Sequence, residues 1–119
     1  MIPIYYKQLI DSLTESTSNN KSHWNRTSTP DQYKLLLDSG MIVISCANQL
    51  YKSSIRIDIY DEIGKLIDSI IEDNTSSHDY TTLSTLFYMI KNQKDAITSR
   101  KINEFVKELK SGKDIGKEE

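Results

Sequence analysis

One cysteine, two histidines and 17 acidic side chains are the groups in this chain best suited to covalent, proton-transfer or metal chemistry. Their spacing decides which chemistry is open to them. Nucleophilic catalysis needs a Ser or Cys beside a base, with donors placed for an oxyanion. Cys46 closes the apolar run that begins at Met41, and a thiol buried in such a strand is raised in pKa and inert. His78 stands in Ser77-His78-Asp79, but successive residues of an extended loop point in different directions and form no relay. His23 precedes Trp24 in a polar stretch. Both histidines read as surface residues, because no second catalytic group accompanies them in sequence.

Metal and phosphate chemistry meet the same obstacle. Zinc sites cluster Cys and His, whereas His23 and His78 are 55 positions apart with one cysteine between them. Asp61 to Glu72 has the length of a calcium loop, but Ile63 and Lys65 fall at the third and fifth ligand positions and no glycine stands at the sixth. Gly40, Gly64, Gly112 and Gly116 are too scattered to cradle a phosphate. The expectation is a protein that is not an enzyme, with no metal and no cofactor.

Charge is the informative anomaly. From Ser53 to Tyr80 two basic residues, Arg56 and Lys65, face seven acidic ones, Asp58, Asp61, Glu62, Asp68, Glu72, Asp73 and Asp79. A cluster of this kind steers a basic partner or repels nucleic acid. Asp58, Asp61, Glu62, Asp68, Glu72 and Asp73 are therefore the candidate protein-binding residues. The opposite pole is Lys91, Lys94, Arg100 and Lys101, the alternative candidate set for nucleic-acid binding. Asp95 and Glu104 dilute it, and an overall charge of −2 lacks the basic surplus that dedicated nucleic-acid modules carry.

The elements that must position these groups follow from periodicity. Ile2, Tyr6, Leu9, Ile10 and Leu13 recur at helical spacing after Pro3, and Ser16 to Asn20 ends that helix. Lys21 to Asp31 is a connector anchored by Trp24, with Pro30 discouraging both helix and central strand. Tyr33, Leu35 and Leu37 alternate with Lys34 and Asp38, and Asp38-Ser39-Gly40 turns the chain into the nearly unbroken apolar run Met41 to Cys46. After a polar link, Asn48 to Ser54, the residues Ile55, Ile57 and Ile59 point to the core while Arg56, Asp58 and Tyr60 point to water. Asp61 to Gly64 suits a turn with Gly64 left-handed, and Lys65 to Ile71 returns as a fourth strand.

A polar loop, Glu72 to Tyr80, supplies a cap for the next helix. Leu83, Leu86, Phe87, Ile90 and Ile97, then Ile102, Phe105, Val106 and Leu109, keep helical spacing, with a break at Ala96 to Ser99. The pattern predicts two C-terminal helices or one kinked helix, ended near Gly112. The fold class is α+β: an N-terminal helix, a four-stranded antiparallel meander, and the C-terminal helices packed on one face of the sheet. Leu35, Ile44, Ile57, Leu86, Phe87 and Phe105 are expected in one core. Residues 1–110 form a single domain on this reading, and 111–119 a flexible tail.

Composition sets the remaining bounds. Apolar runs such as Leu35 to Leu37 and Met41 to Ile44 fall far short of the ~20 residues that span a bilayer. The N-terminus carries no signal-peptide pattern and the lone cysteine can form no internal disulfide, so the cytoplasm is the expected location. Sixteen Ile against two Val, and 12 Lys against three Arg, follow AT-rich codons and suggest a low-GC bacterium or one of its mobile elements.

Trp24 after a first helix, a hairpin-rich middle turning at Gly64, and the segments Leu83-x-x-Leu86-Phe87-Tyr88-x-Ile90 and Ile102-x-x-Phe105-Val106-x-x-Leu109 together resemble small uncharacterised bacterial and phage-type α+β proteins. That resemblance implies a shared fold and transfers no activity. The helix-strands-helix order is also similar to double-stranded RNA-binding domains, but the basic, glycine-led helix start with which those grip phosphate is missing. The functional expectation is a small acidic protein-interaction module that binds a larger protein, in its sharpest form a phage or mobile-element inhibitor of a host nuclease or defence protein. The alternative is a nucleic-acid-binding accessory protein using the basic helix face. Self-association is compatible with both.

Overall fold

The computed structural model describes residues 2–49 and 52–118. The chain runs α1 (Ile4–Ser18), β1 (Asn25–Arg26), β2 (Gln32–Leu37), β3 (Gly40–Gln49), β4 (Lys52–Asp61), β5 (Leu66–Glu72) and α2 (His78–Leu109). The five strands form one antiparallel sheet in sequential order, a meander with β1 and β5 at its edges.

Pro3 caps α1: it lacks the N–H that a helix start leaves unpaired, and its carbonyl accepts from the backbone of Tyr6 and Lys7. Tyr6, Ile10, Leu13 and Thr17 then fall on one face and are buried. Asn20, left-handed at φ 58°, turns the chain, and Trp24 follows into the core with its indole Nε1 donating to the Thr17 hydroxyl at 3.0 Å. The connector also holds a strand that alternation does not reveal. Asn25 and Arg26 pair with Lys34 and Tyr33, making five strands rather than four, because two residues are too few to show a period.

At the β2–β3 turn Gly40 passes so close to β4 that a Cβ there would collide with the Tyr60 carbonyl oxygen. The expected polar link after Cys46 is instead the outer part of a long hairpin. Asn48 and Gln49 pair with Ser53 and Lys52, and residues 50 and 51 lie outside the described residues. Polar side chains do not interrupt a backbone ladder whose end is in solvent. The β4–β5 turn forms as its residues dictate: Gly64 is left-handed at φ 88°, and the Asp61 carboxylate accepts from the backbone N–H of Ile63 and Lys65.

Tyr33, Leu35, Ile42, Ile44, Cys46, Ile55 and Ile57 form the buried side of the sheet and meet α1, Trp24 and the α2 residues Leu83, Leu86, Phe87 and Ile90 in one core. Both helices therefore cover the same face. Leu37, expected to share the side of Tyr33 and Leu35, is exposed because it lies at the turn beyond the reach of the helices.

The C-terminal region is one helix of 32 residues, not two. Ser77 caps it by accepting from the Tyr80 backbone, and Asp79 in the first turn accepts from the Ile2 N–H at 3.1 Å. The Thr-Ser pair does not break the helix, because the Thr98 hydroxyl donates to the Lys94 carbonyl one turn back and accepts from Arg26. Phe105 is not in the core: it is 54% exposed, whereas Phe87 is 1% exposed. The reason is length. At 1.5 Å per residue α2 runs about 48 Å, against about 33 Å for the ten-residue strands, and every residue of its last three turns is exposed.

Candidate interaction surface

No element covers the second face of the sheet among the described residues. Alternation places on it three cross-strand rows, each set by the register: Leu36, Met41, Tyr60 and Leu66; Lys34, Val43, Asp58 and Ser69; Gln32, Ser45, Arg56 and Ile71. The first row is apolar throughout, and Leu36 at its end is 60% exposed. An irregularity in pairing at Ile59/Tyr60 brings Leu66 opposite Tyr60 and leaves Ile67 unpaired and exposed beside it. The third row borders an open hollow of about 370 Å³ that Ser45, Ala47 and Ser54 leave room for, closed at one end by Lys52 and Asp73.

The middle row carries the one carboxylate that is buried among the described residues. Asp58 stands opposite Ile57 and Ile59 in alternation, but it is 8% exposed rather than solvated. It accepts from Arg56 Nε at 2.7 Å and from the Ser69 hydroxyl, two charge-assisted bonds that tie β4 to itself and to β5. Burying it therefore leaves no unpaired charge.

The other acidic candidates do not converge on one point. Asp61 and Glu62 crown the β4–β5 turn, while Glu72 and Asp73 lie at the opposite end of β5, roughly 20 Å away for a seven-residue strand. Asp68 and Glu72 sit at register positions on the helix-covered side, opposite Ile59 and Ile55. Asp68 accepts from the Tyr6 hydroxyl at 2.9 Å. That bond, after burial itself, pushes the Tyr6 pKa well above its ordinary value. Asp73 pairs with Lys52 at 2.9 Å, and this partner holds its carboxyl below the usual range. Glu72 accepts from the Asn74 N–H. Of the six, Glu62 alone has no hydrogen bond or ion pair among the described residues. The result is an acidic border along the β4–β5 hairpin in place of a compact patch.

The basic candidates are dispersed too. At 100° per residue Arg100 lies on the opposite side of α2 from Lys91. Lys91 faces Asp31 at 3.5 Å and Asp95 at 3.7 Å, and Lys101 pairs with Glu104 at 2.8 Å. Lys94 and Arg100 border a cleft of about 310 Å³ with His23 and Trp24. Arg26 on β1 reaches Asp95 at 3.0 Å, so the carboxylates expected to dilute this pole do so by pairing with it.

The groups suited to catalysis stay apart. Cys46 is buried, and burial foremost pushes its thiol pKa up, with Asp31 adding to the effect. His78 opens α2 on the surface, and its neighbour Asp79 is engaged by the Ile2 N–H. No group of three or more His, Cys, Asp or Glu side chains is placed to hold a metal among the described residues. No helix of the described residues is long and apolar enough to cross a membrane.

The apolar row was not singled out in the sequence, although its trace was there. Runs such as Leu35 to Leu37 and Met41 to Ile44 are apolar at consecutive positions, and in a strand that places apolar groups on both faces. Comparison with protein-family models, with curated proteins and with solved structures finds no match to this chain.

Proposed function

We propose that the protein is a non-enzymatic interaction module that binds a larger protein through the uncovered face of its sheet. The observation that carries this reading is the apolar row Leu36, Met41, Tyr60 and Leu66, which leads into the carboxylates of Asp61 and Glu62. A partner that fits has an apolar contact ringed by basic groups. In that geometry the row excludes water while the acidic border orients the approach, giving affinity and on-rate respectively. Proteins that handle nucleic acid present such basic surfaces, which supports the narrower reading of an inhibitor of a nuclease or defence protein.

Affinity capture from the native host followed by kinetics on the purified partner tests this. Leu36→Ser with Leu66→Ser should speed dissociation. Asp61→Asn, Glu62→Gln, Glu72→Gln and Asp73→Asn together should slow association and flatten its salt dependence. Unchanged kinetics in both variants at low and high salt would remove this surface from consideration. Fluorescence anisotropy with DNA and RNA duplexes addresses the alternative. Submicromolar binding that weakens steeply with salt, and is lost when Lys91, Lys94, Arg100 and Lys101 become Ala, would replace the proposal with nucleic-acid recognition.

A further inference from the structure

The last turns of α2 carry a stripe that has no partner among the described residues. Ile102, Phe105, Val106 and Leu109 recur at three- and four-residue spacing, and all four are exposed. The described residues that follow α2 do not cover them. Gly112, left-handed at φ 79°, turns the tail so that Ile115 borders a shallow hollow with Phe105 and Leu109, and each of these three remains exposed.

We propose that this stripe is a self-association surface, on which the last turns of α2 pair antiparallel with the same segment of a second copy. With Ile102 and Leu109 at a positions and Phe105 at d, Lys101 and Glu108 both fall at g. In an antiparallel pair g faces g, so Lys101 of each copy meets Glu108 of the other, and the two-fold axis makes the contact twice. In a parallel pair g faces e, where Lys101 meets the apolar Val106 and the complementarity is lost. The exposed parts of the stripe and Ile115 amount to roughly 500 Å² per copy, about 1,000 Å² for the pair, at the lower end of specific interfaces. A reversible dimer is the expected strength. It uses a surface separate from the uncovered sheet face, so two copies would display two such faces.

Sedimentation equilibrium of the full chain between about 1 and about 500 µM tests the proposal, since association must follow mass action. The wild-type protein should pass from monomer to dimer across that range. Phe105→Glu should weaken association about tenfold or more without altering the circular dichroism spectrum, because the ring is exposed in the monomer. Lys101→Glu and Glu108→Lys should each weaken self-association, while a mixture of the two variants should form heterodimers, since every g–g contact is then between opposite charges. A wild-type chain that stays monomeric throughout overturns the proposal, as does a dimer indifferent to Phe105→Glu. Failure of the mixture to recover association would overturn the antiparallel arrangement.

Discussion

Phe87 and Phe105 stand on one helix about 27 Å apart, and their environments make the same truncation mean two different things. Phe87 lies between Tyr33, with ring centroids 5.7 Å apart, and Tyr88, edge-on at 5.2 Å. Removing its ring loses the transfer free energy of the buried atoms and leaves a cavity. The β2–β4 ladders restrain the wall of that cavity, because each strand there is held by hydrogen bonds on both sides and cannot sink inward. Phe87→Ala should therefore fall in the ~3–5 kcal/mol range of such changes, a large part of the ~5–15 kcal/mol that holds a domain together. At this chain length that corresponds to a fall in Tm of about 10–20 °C. Phe105→Ala, assayed near 1 µM where self-association is negligible, should cost less than about 0.5 kcal/mol. Urea unfolding followed by fluorescence reads both, since Trp24 is the sole tryptophan and is 2% exposed. A Phe87→Ala loss below about 1 kcal/mol, or a Phe105→Ala loss above about 2, would refute this account of the packing.

Gly40→Ala should destabilise by about 2 kcal/mol or more, because the added methyl must push the β2–β3 turn away from the Tyr60 carbonyl; thermal melts will show it, and an unchanged Tm would discount the close approach. Thr17→Val keeps the side-chain volume but strands the Trp24 indole N–H, at a cost of about 1–3 kcal/mol by urea melts; a neutral result would mean that the indole finds another acceptor. The raised Tyr6 pKa gives stability that is fully present below the unfolded value near 10.0 and is lost as pH rises toward the folded one, because the unfolded chain gives up that proton first. Urea melts between about pH 9 and 11 should accordingly show a steeper loss for wild type than for Tyr6→Phe, and a constant difference between the two would count against the Tyr6–Asp68 bond.

The strands and the first helix were readable because each buries one face, and burial writes a period into the sequence. Ile55, Ile57 and Ile59 alternate, and Tyr6, Ile10 and Leu13 step by helical intervals, with side chains placed accordingly. What periodicity lacks is any indication of what the apolar face meets. Phe105 and Phe87 obey the same rule, and only the length of the sheet relative to α2 separates them. β1 escaped because it is short, and periodicity left two helices or one open because Thr98 is satisfied by Arg26, 72 positions earlier. The acidic cluster was visible as composition, but its carboxylates are divided by the turn, the two sheet faces and their own partners. Charge counted along the chain carries none of those directions.

The bonds that hold α1 have a consequence for the order in which the protein is made. Tyr6 and Thr17 of α1, and Ile2 just before it, are bonded to Asp68, Gln93 and Asp79, across 62, 76 and 77 positions. Each pairing within the sheet, by contrast, joins consecutive strands. On a ribosome adding about 5–20 residues per second, α1 waits roughly 3–15 s for the residues that anchor it, with Tyr6, Ile10 and Leu13 uncovered meanwhile. The hairpins close as they emerge, so α1, made before the sheet, settles after it. During that interval its bare apolar stripe is where a chaperone would find a nascent chain to hold.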